Sequence, residues 1–229
     1  MQLNEKSKMI HERYRADYEG EFVITESRWS GGKKIQNREW VPNPIINLHT
    51  SGRAACIGSN VHRDLFDYTR LQRHKGGLLK SKKLQTYGTG TIAKEMKLDF
   101  AVEFDKTVIN ELIESDYVNE NIVYANTRNC LIHPGQFYLI PYNTIIAIEA
   151  MVLWMAAFDG HKEIYTLGYS NDTVGTVNAW SAHVNGVLMA YPAVKFIFIG
   201  EKSNVPKSWR MNANVSCMDI RPFISHCDI

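Results

Sequence analysis

"AAFDGHKEIYTLGYSND", residues 156–172, decides how this chain is read. An apolar helical stretch runs into Gly160, and after the charged turn His161-Lys162-Glu163 a β-rich run, Ile164 to Leu167, follows at once. That run breaks at Gly168 into a polar tip, Tyr169-Ser170-Asn171-Asp172. A greasy helix feeding a short apolar strand is the repeating step of a parallel sheet buried on both faces.

The same step recurs along the chain. Short apolar runs predict strands at 54–60, 84–90, 98–105, 121–127, 163–170 and 195–201, with helices near 62–74, 105–116, 143–158 and 176–191. The expected fold is therefore α/β, a single Rossmann-like and mostly parallel sheet with helices on both faces. Ahead of it, "EFVITESRW" (21–29) and "KKIQNREWV" (33–41) read as a β-hairpin around the turn signal "SGGK". The two prolines of "VPNPIINLHTSG" then lead out as an extended connector. The expected division is an N-terminal arm, 1–50, and a Rossmann-like domain, 51–229.

Composition sets outer limits. The 229 residues are 45% hydrophobic and 22% charged, ordinary for a globular chain with a core. A net charge of +2 means that nucleic-acid binding would have to come from a local patch. The polar start "MQLNEKSKMIHERYR" has no apolar core of a signal peptide. The longest apolar run, Ile145 to Phe158, is too short to span a bilayer and contains Glu149. The cysteines, Cys56, Cys130, Cys217 and Cys227, have no metal-like spacing and read as reduced cytoplasmic thiols.

Five of the six expected strands run into Gly, Ser, Thr or Asn, at the end where an open α/β sheet holds its ligand. Such residues also make good βα turns, and both readings stand. The candidate contacts are Gly58, Ser59 and Asn60 after the first strand, Gly88 and Thr89 after the second, Asn126 after the fourth, and Tyr169 and Ser170 after the fifth. In "CIGSNVHRD" (56–64), Gly58 permits a tight turn and Ser59 or Asn60 could cap the next helix, which suits a phosphate or ribose. It is not G-x-G-x-x-G, no acid ends the second strand, and no Walker lysine is present, so a standard NAD or P-loop site is disfavoured. Pro141 should stop the preceding chain, with Asn143 or Thr144 capping a buried helix to Phe158 whose amides face the strand ends, near Tyr142.

The segment "MAAFDGHKEIYTLGYSND" resembles one in the sialyltransferases of family 42 and related glycosyltransferases. There a helix leads through a Gly-x-Lys-Glu-Ile-Tyr turn into a strand ending in Gly, a hydrophobic residue and Asp. "GEFVITESRW" and "REWVPNPIINLHTSGRAACIGS" resemble proteins of T4-like bacteriophages. Together the resemblances imply a phage glycosyltransferase whose Rossmann-like domain binds a nucleotide-sugar and whose acceptor is 5-hydroxymethylcytosine in DNA. Two departures bear on the donor: the family's Asn-Gly-Pro-Ser is Gly58-Ser59-Asn60 here, and its acid after the glycine and hydrophobic residue is Ser170, with Asp172 two later. A UDP-sugar is expected ahead of a CMP-sugar, with no obligatory metal or other cofactor.

By this resemblance His183, in "TVNAWSAHVNGVLMAYP" (176–192), is the candidate base that takes the acceptor's proton. Asp172 and Asp105 at strand ends are rivals, and His133 in "LIHPGQF" is a fourth. Tyr142, Tyr169 and basic side chains would meet the leaving diphosphate. For DNA, "RLQRHKGGLLKSKK" (70–83) carries Arg70, Arg73, Lys75, Lys80, Lys82 and Lys83 and no acid. Arg63, Lys33, Lys34 and Arg38 add to it, and Trp29, Trp40 or Trp209 could wedge at a flipped base. A solvated basic loop and core tryptophans are the plain alternatives. The competing functions are a glycan-directed sialyltransferase-like enzyme, a non-catalytic Rossmann-like nucleic-acid-binding protein and, more weakly, a methyltransferase.

Overall fold

A computed structural model describes residues 22–30, 33–41, 52–58, 66–74, 84–133, 135–140, 146–169 and 179–227; for 22–30, 33–41 and 72–74 it describes the backbone alone. In chain order the elements are β1 (Phe22–Ser30), β2 (Lys33–Val41), β3 (Arg53–Ile57), a 3-10 turn (Tyr68–His74), β4 (Gln85–Thr89), α1 (Gly90–Ala93), β5 (Phe100–Glu103), α2 (Lys106–Glu114), α3 (Tyr117–Glu120) and β6 (Ile122–Ala125). They continue with α4 (Thr127–Ile132), β7 (Tyr138–Leu139), α5 (Ile148–Phe158), β8 (Glu163–Leu167), α6 (Ala179–Ala190), β9 (Lys195–Ile199), a 3-10 turn (Lys202–Asn204), α7 (Lys207–Arg210), β10 (Val215–Met218) and α8 (Ile220–Cys227). All six expected strands are present; β7 and β10, too short and too polar to stand out, are additional.

The fold is α/β with parallel strands and packed helices, as expected, and it forms two compact units. Leu48–Val102 with Ile146–Ile229 makes the larger; Glu103–Ile145 falls with the N-terminal hairpin in the other. In the smaller unit β1 and β2 pair antiparallel with Phe22 opposite Val41, and β6 pairs parallel with β7.

In the larger unit the strand order is β10-β9-β8-β3-β4-β5, all parallel. The register sets Cys56 beside Tyr87 on one side and Thr166 on the other, with Phe198 beside Thr166. Registered neighbours in a sheet point to the same face. On this face Cys56 reaches the Val152 carbonyl of α5, and the Phe198 ring meets Trp209 of α7 at 5.3 Å. The alternate residue Tyr165 points the other way, its ring 5.2 Å from Phe223 of α8. Helices therefore cover both faces, which is why the central strands are apolar throughout rather than alternating.

The helices follow from their own patterns. α5 buries Ala150 to Leu153 and Met155 to Ala157, nearly its whole circumference, because it lies against β3, β4 and β8 on one side and α6 on the other. α6 buries Ser181, Val184, Val187 and Leu188, one stripe at helical spacing. Two helix starts differ from expectation. α5 begins at Ile148 with Ala147 in the N-cap position, so the cap is neither Asn143 nor Thr144. The described part of the helix expected near 62–74 is the 3-10 turn Tyr68–His74, held by Leu71 and Phe66 in the core.

Candidate functional site

Chain order locates the site. From β3 the chain moves outward to β4 and β5, then returns to place β8, β9 and β10 on the opposite side of β3. The order reverses between β3 and β8. In open α/β sheets ligands bind outside the carboxyl ends of the strands at that reversal. Here those ends are Gly58 and Gly168-Tyr169.

The two ends are packed closely. The Gly58 amide donates to the Leu167 carbonyl at 2.8 Å. A Cβ on Gly58 would lie 3.1 Å from the Gly168 carbonyl oxygen and 3.1 Å from the Tyr169 ring, so only glycine passes without displacing them. Gly168 turns the strand end with φ of 75°. Tyr169 is buried, and its hydroxyl donates to the Glu149 carbonyl at 2.8 Å. Burial, then the neighbouring Cys56 and Glu149, push its phenol well up. Tyr169 thus ties the end of β8 to the first turn of α5, and its hydroxyl is already committed.

Around this junction stand the first turns of α5 and α6. The Ala147 amide donates to His183 Nδ1 at 3.0 Å, and Trp180 Nε1 donates to Glu149 Oε2 at 3.2 Å. Glu149 therefore already places a carboxylate in the first turn of α5, where the helix dipole favours negative charge. That occupancy works against a second anion at the same amides.

The other expected site residues fall into different roles. Thr89 is buried and caps α1, accepting from the Ile92 amide at 3.5 Å. Gly88 is a packing glycine: a Cβ there would lie 2.8 Å from Leu98 Cδ1. Asn126 caps α4 by accepting from the Asn129 amide at 3.0 Å. Asp105 caps α2, its Oδ1 accepting from the Thr107 and Val108 amides at 2.8 and 3.1 Å. At these tips the turn-and-cap reading accounts for the residue types. His133 follows α4, its ring 6.0 Å from Phe137. Trp209 is fully buried and donates to the Ser181 carbonyl at 3.0 Å, so it is core and no wedge. Arg70 lays its guanidinium over the Phe66 ring at 6.0 Å.

Ser59, Asn60, Arg63, Lys75, Lys80, Lys82, Lys83, Tyr142, Asn143, Thr144, Ser170 and Asp172 lie outside the described residues. Arg73, Trp29, Trp40, Lys33, Lys34 and Arg38 are described in backbone only. Of the expected site residues, the described structure brings together Gly58, Tyr169 and His183 in the larger unit, at the β3–β8 reversal.

Sequence reasoning missed Glu149 and Trp180 at that place, and it missed a buried polar cluster elsewhere. Tyr87 on β4 donates its hydroxyl to Asp159 Oδ2 at 2.6 Å and lies 3.0 Å from His161 Nε2. Asp159 and His161 are 2% and 0% exposed. Burial raises the Asp159 carboxyl to about 8, with the Tyr87 hydrogen bond pulling partly back. Asp159 ends α5 and His161 precedes β8, so this cluster sits at the amino ends of the strands. The only sequence signal was an acid and a histidine beside Gly160, where the chain turns.

All four cysteines are free, and burial raises every thiol, Cys130 to about 12, so none is poised as a nucleophile. Among the described residues no group of three or more His, Cys, Asp or Glu could hold a metal ion, and no helix is long and apolar enough to cross a membrane. Comparison with protein families, with curated proteins and with solved structures finds no match to this chain.

Proposed function

We propose that this protein is a nucleotide-sugar-dependent glycosyltransferase, with a UDP-sugar as donor and hydroxymethylated cytosine in phage DNA as acceptor, working in the cytoplasm of the infected cell. The observation that carries the reading is the reversal of strand order between β3 and β8, with Gly58 and Tyr169 at the paired strand ends and His183 and Trp180 on the helix beside them. Trp180 and His183, both half-buried, would give a nucleotide-sugar an aromatic and imidazole wall there. The six cations of residues 70–83 support a polyanionic acceptor.

In the transfer the acceptor hydroxyl oxygen attacks the anomeric carbon and forms the new C–O bond. The bond from that carbon to the donor phosphate oxygen breaks, and its electron pair leaves with the nucleotide. The hydroxyl proton passes to a base. Asp105 is engaged as a helix cap, which leaves Asp172 as the strand-end carboxylate for that role.

The test is to incubate the protein with hydroxymethylated or plain DNA and a panel of UDP- and CMP-sugars, then weigh the nucleosides. A hexose or pentose mass on hydroxymethylcytosine alone is expected. Donor consumption only with an oligosaccharide acceptor would replace the DNA with a glycan. The second reading is a non-catalytic nucleic-acid-binding protein, favoured by the capping roles of Thr89, Asp105 and Asn126. It requires that calorimetry with UDP show no binding while DNA binds.

A further inference from the structure

The hydrogen bond between Ala147 and His183 fixes more than a position. A backbone amide can only donate, so His183 Nδ1, 3.0 Å from the Ala147 nitrogen, must present its lone pair there. A neutral imidazole carries one proton, and it is then on Nε2. To serve as a base this ring would have to accept at Nδ1, the nitrogen already occupied and turned towards the start of α5. Nε2 cannot accept while it bears the proton. Nε2 makes no hydrogen bond among the described residues. The ring is half-buried, one helical turn beyond Trp180, whose indole is held by Glu149.

The geometry points to His183 as a tautomer-locked Nε2–H donor to a phosphate oxygen of the bound nucleotide, and not as the base. For its chemistry the assignment rests on the transferase reading above; for the place of the proton it rests on the Ala147 bond alone. When the bond between the anomeric carbon and the phosphate oxygen breaks, charge develops on that oxygen. A donor already oriented by the backbone stabilises it without reorganising. Neutral imidazole donors of this kind serve at other oxyanions, with the tautomer set by what the second nitrogen bonds. The same bond pairs the amide of Ala147, the N-cap residue of α5, which has no capping side chain of its own.

Three measurements on the full chain test this. In a nitrogen-15 long-range correlation spectrum, the His183 signals, identified by their loss in His183→Gln, should show a protonated Nε2 and a bare Nδ1. The opposite tautomer overturns the assignment. In calorimetry with UDP as the probe, His183→Ala should weaken binding at least about tenfold, whereas His183→Gln, whose amide nitrogen can stand near Nε2, should stay within a fewfold of wild type. Failure of wild type to bind UDP, or indifference to His183→Ala, also overturns it. In transfer to hydroxymethylated DNA, His183→Ala should lose about 100-fold or more in kcat and His183→Gln about tenfold. Equal loss in both variants, with melting temperatures unchanged, means the ring is the base after all. If wild type binds UDP through His183 yet transfers no sugar, the transferase reading falls and the donor assignment stands.

Discussion

Replacing Asp159 by Asn should change how stability depends on pH while changing little else in the fold. The Asp159 carboxyl is 2% exposed and bonded to Tyr87, and burial raises it to about 8. An unfolded aspartate releases its proton near pH ~3.9. Between those two values the folded state holds one more proton than the unfolded state, so each rise in pH favours unfolding. The carboxyl's contribution is fully present below about pH 4 and is lost as the pH climbs to about 8. One proton costs about 1.4 kcal/mol per pH unit, so from pH 5 to pH 7 wild type should lose roughly 3 kcal/mol relative to Asp159→Asn. The asparagine mimics the protonated acid: its amide can donate to the Tyr87 oxygen while the Tyr87 hydroxyl turns to His161 Nε2 at 3.0 Å. Urea unfolding followed by tryptophan fluorescence at pH 5, 6, 7 and 8 measures this directly. The difference between the two proteins cancels the titrating groups that do not share the Tyr87–Asp159–His161 cluster. A difference that is constant over that range would refute the reasoning, and one of reversed slope would show an Asp159–His161 ion pair inside the fold.

Other consequences can be checked with single substitutions. Gly58→Ala forces a Cβ to within 3.1 Å of the Gly168 carbonyl and the Tyr169 ring, and should cost about 1–3 kcal/mol in unfolding experiments. Asp105→Ala removes the cap of α2 and should cost about 1 kcal/mol while leaving the proposed sugar transfer intact; a loss of turnover beyond tenfold would make Asp105 a candidate for the proposed site again. Trp209→Ala should destabilise by about 3–5 kcal/mol, since the ring is fully buried and its Nε1 serves Ser181. Charge reversal at Lys80, Lys82 and Lys83 should weaken DNA binding and lower the slope of log affinity against log salt by roughly 3; an unaltered slope makes the basic run a solvated surface.

The strands were legible because burial on both faces demands short, largely apolar runs rich in β-formers such as "AACI", "EIYTL" and "KFIFI" between breakers. The long helices were legible too, α2 and α6 from an apolar stripe and α5 from a continuous apolar run, although α5 starts at Ile148, after Ala147, whose amide is bonded by His183 far away in sequence. Short elements such as α1, α7 and β7 were not legible, since a segment of two to four residues carries no period. At the strand tips Thr89, Asn126 and Asp105 are seen capping helices. Thr, Asn and Asp cap a helix and contact a ligand with the same oxygen, so the letters could not separate Thr89, Asn126 and Asp105 from true ligand contacts.

By itself the sequence determined that the chain makes parallel apolar strands with helices between them, because hydrophobic period and breakers are local properties. Only the tertiary structure decided which strand ends lie side by side. The order of strands, and hence the reversal between β3 and β8, depends on pairings between residues about a hundred positions apart. The same holds for the proton on His183, set by an amide 36 residues earlier, and for that on Asp159, set by the exclusion of water around it. Hydrogen bonding and desolvation act through space, and no pattern of neighbouring letters records them.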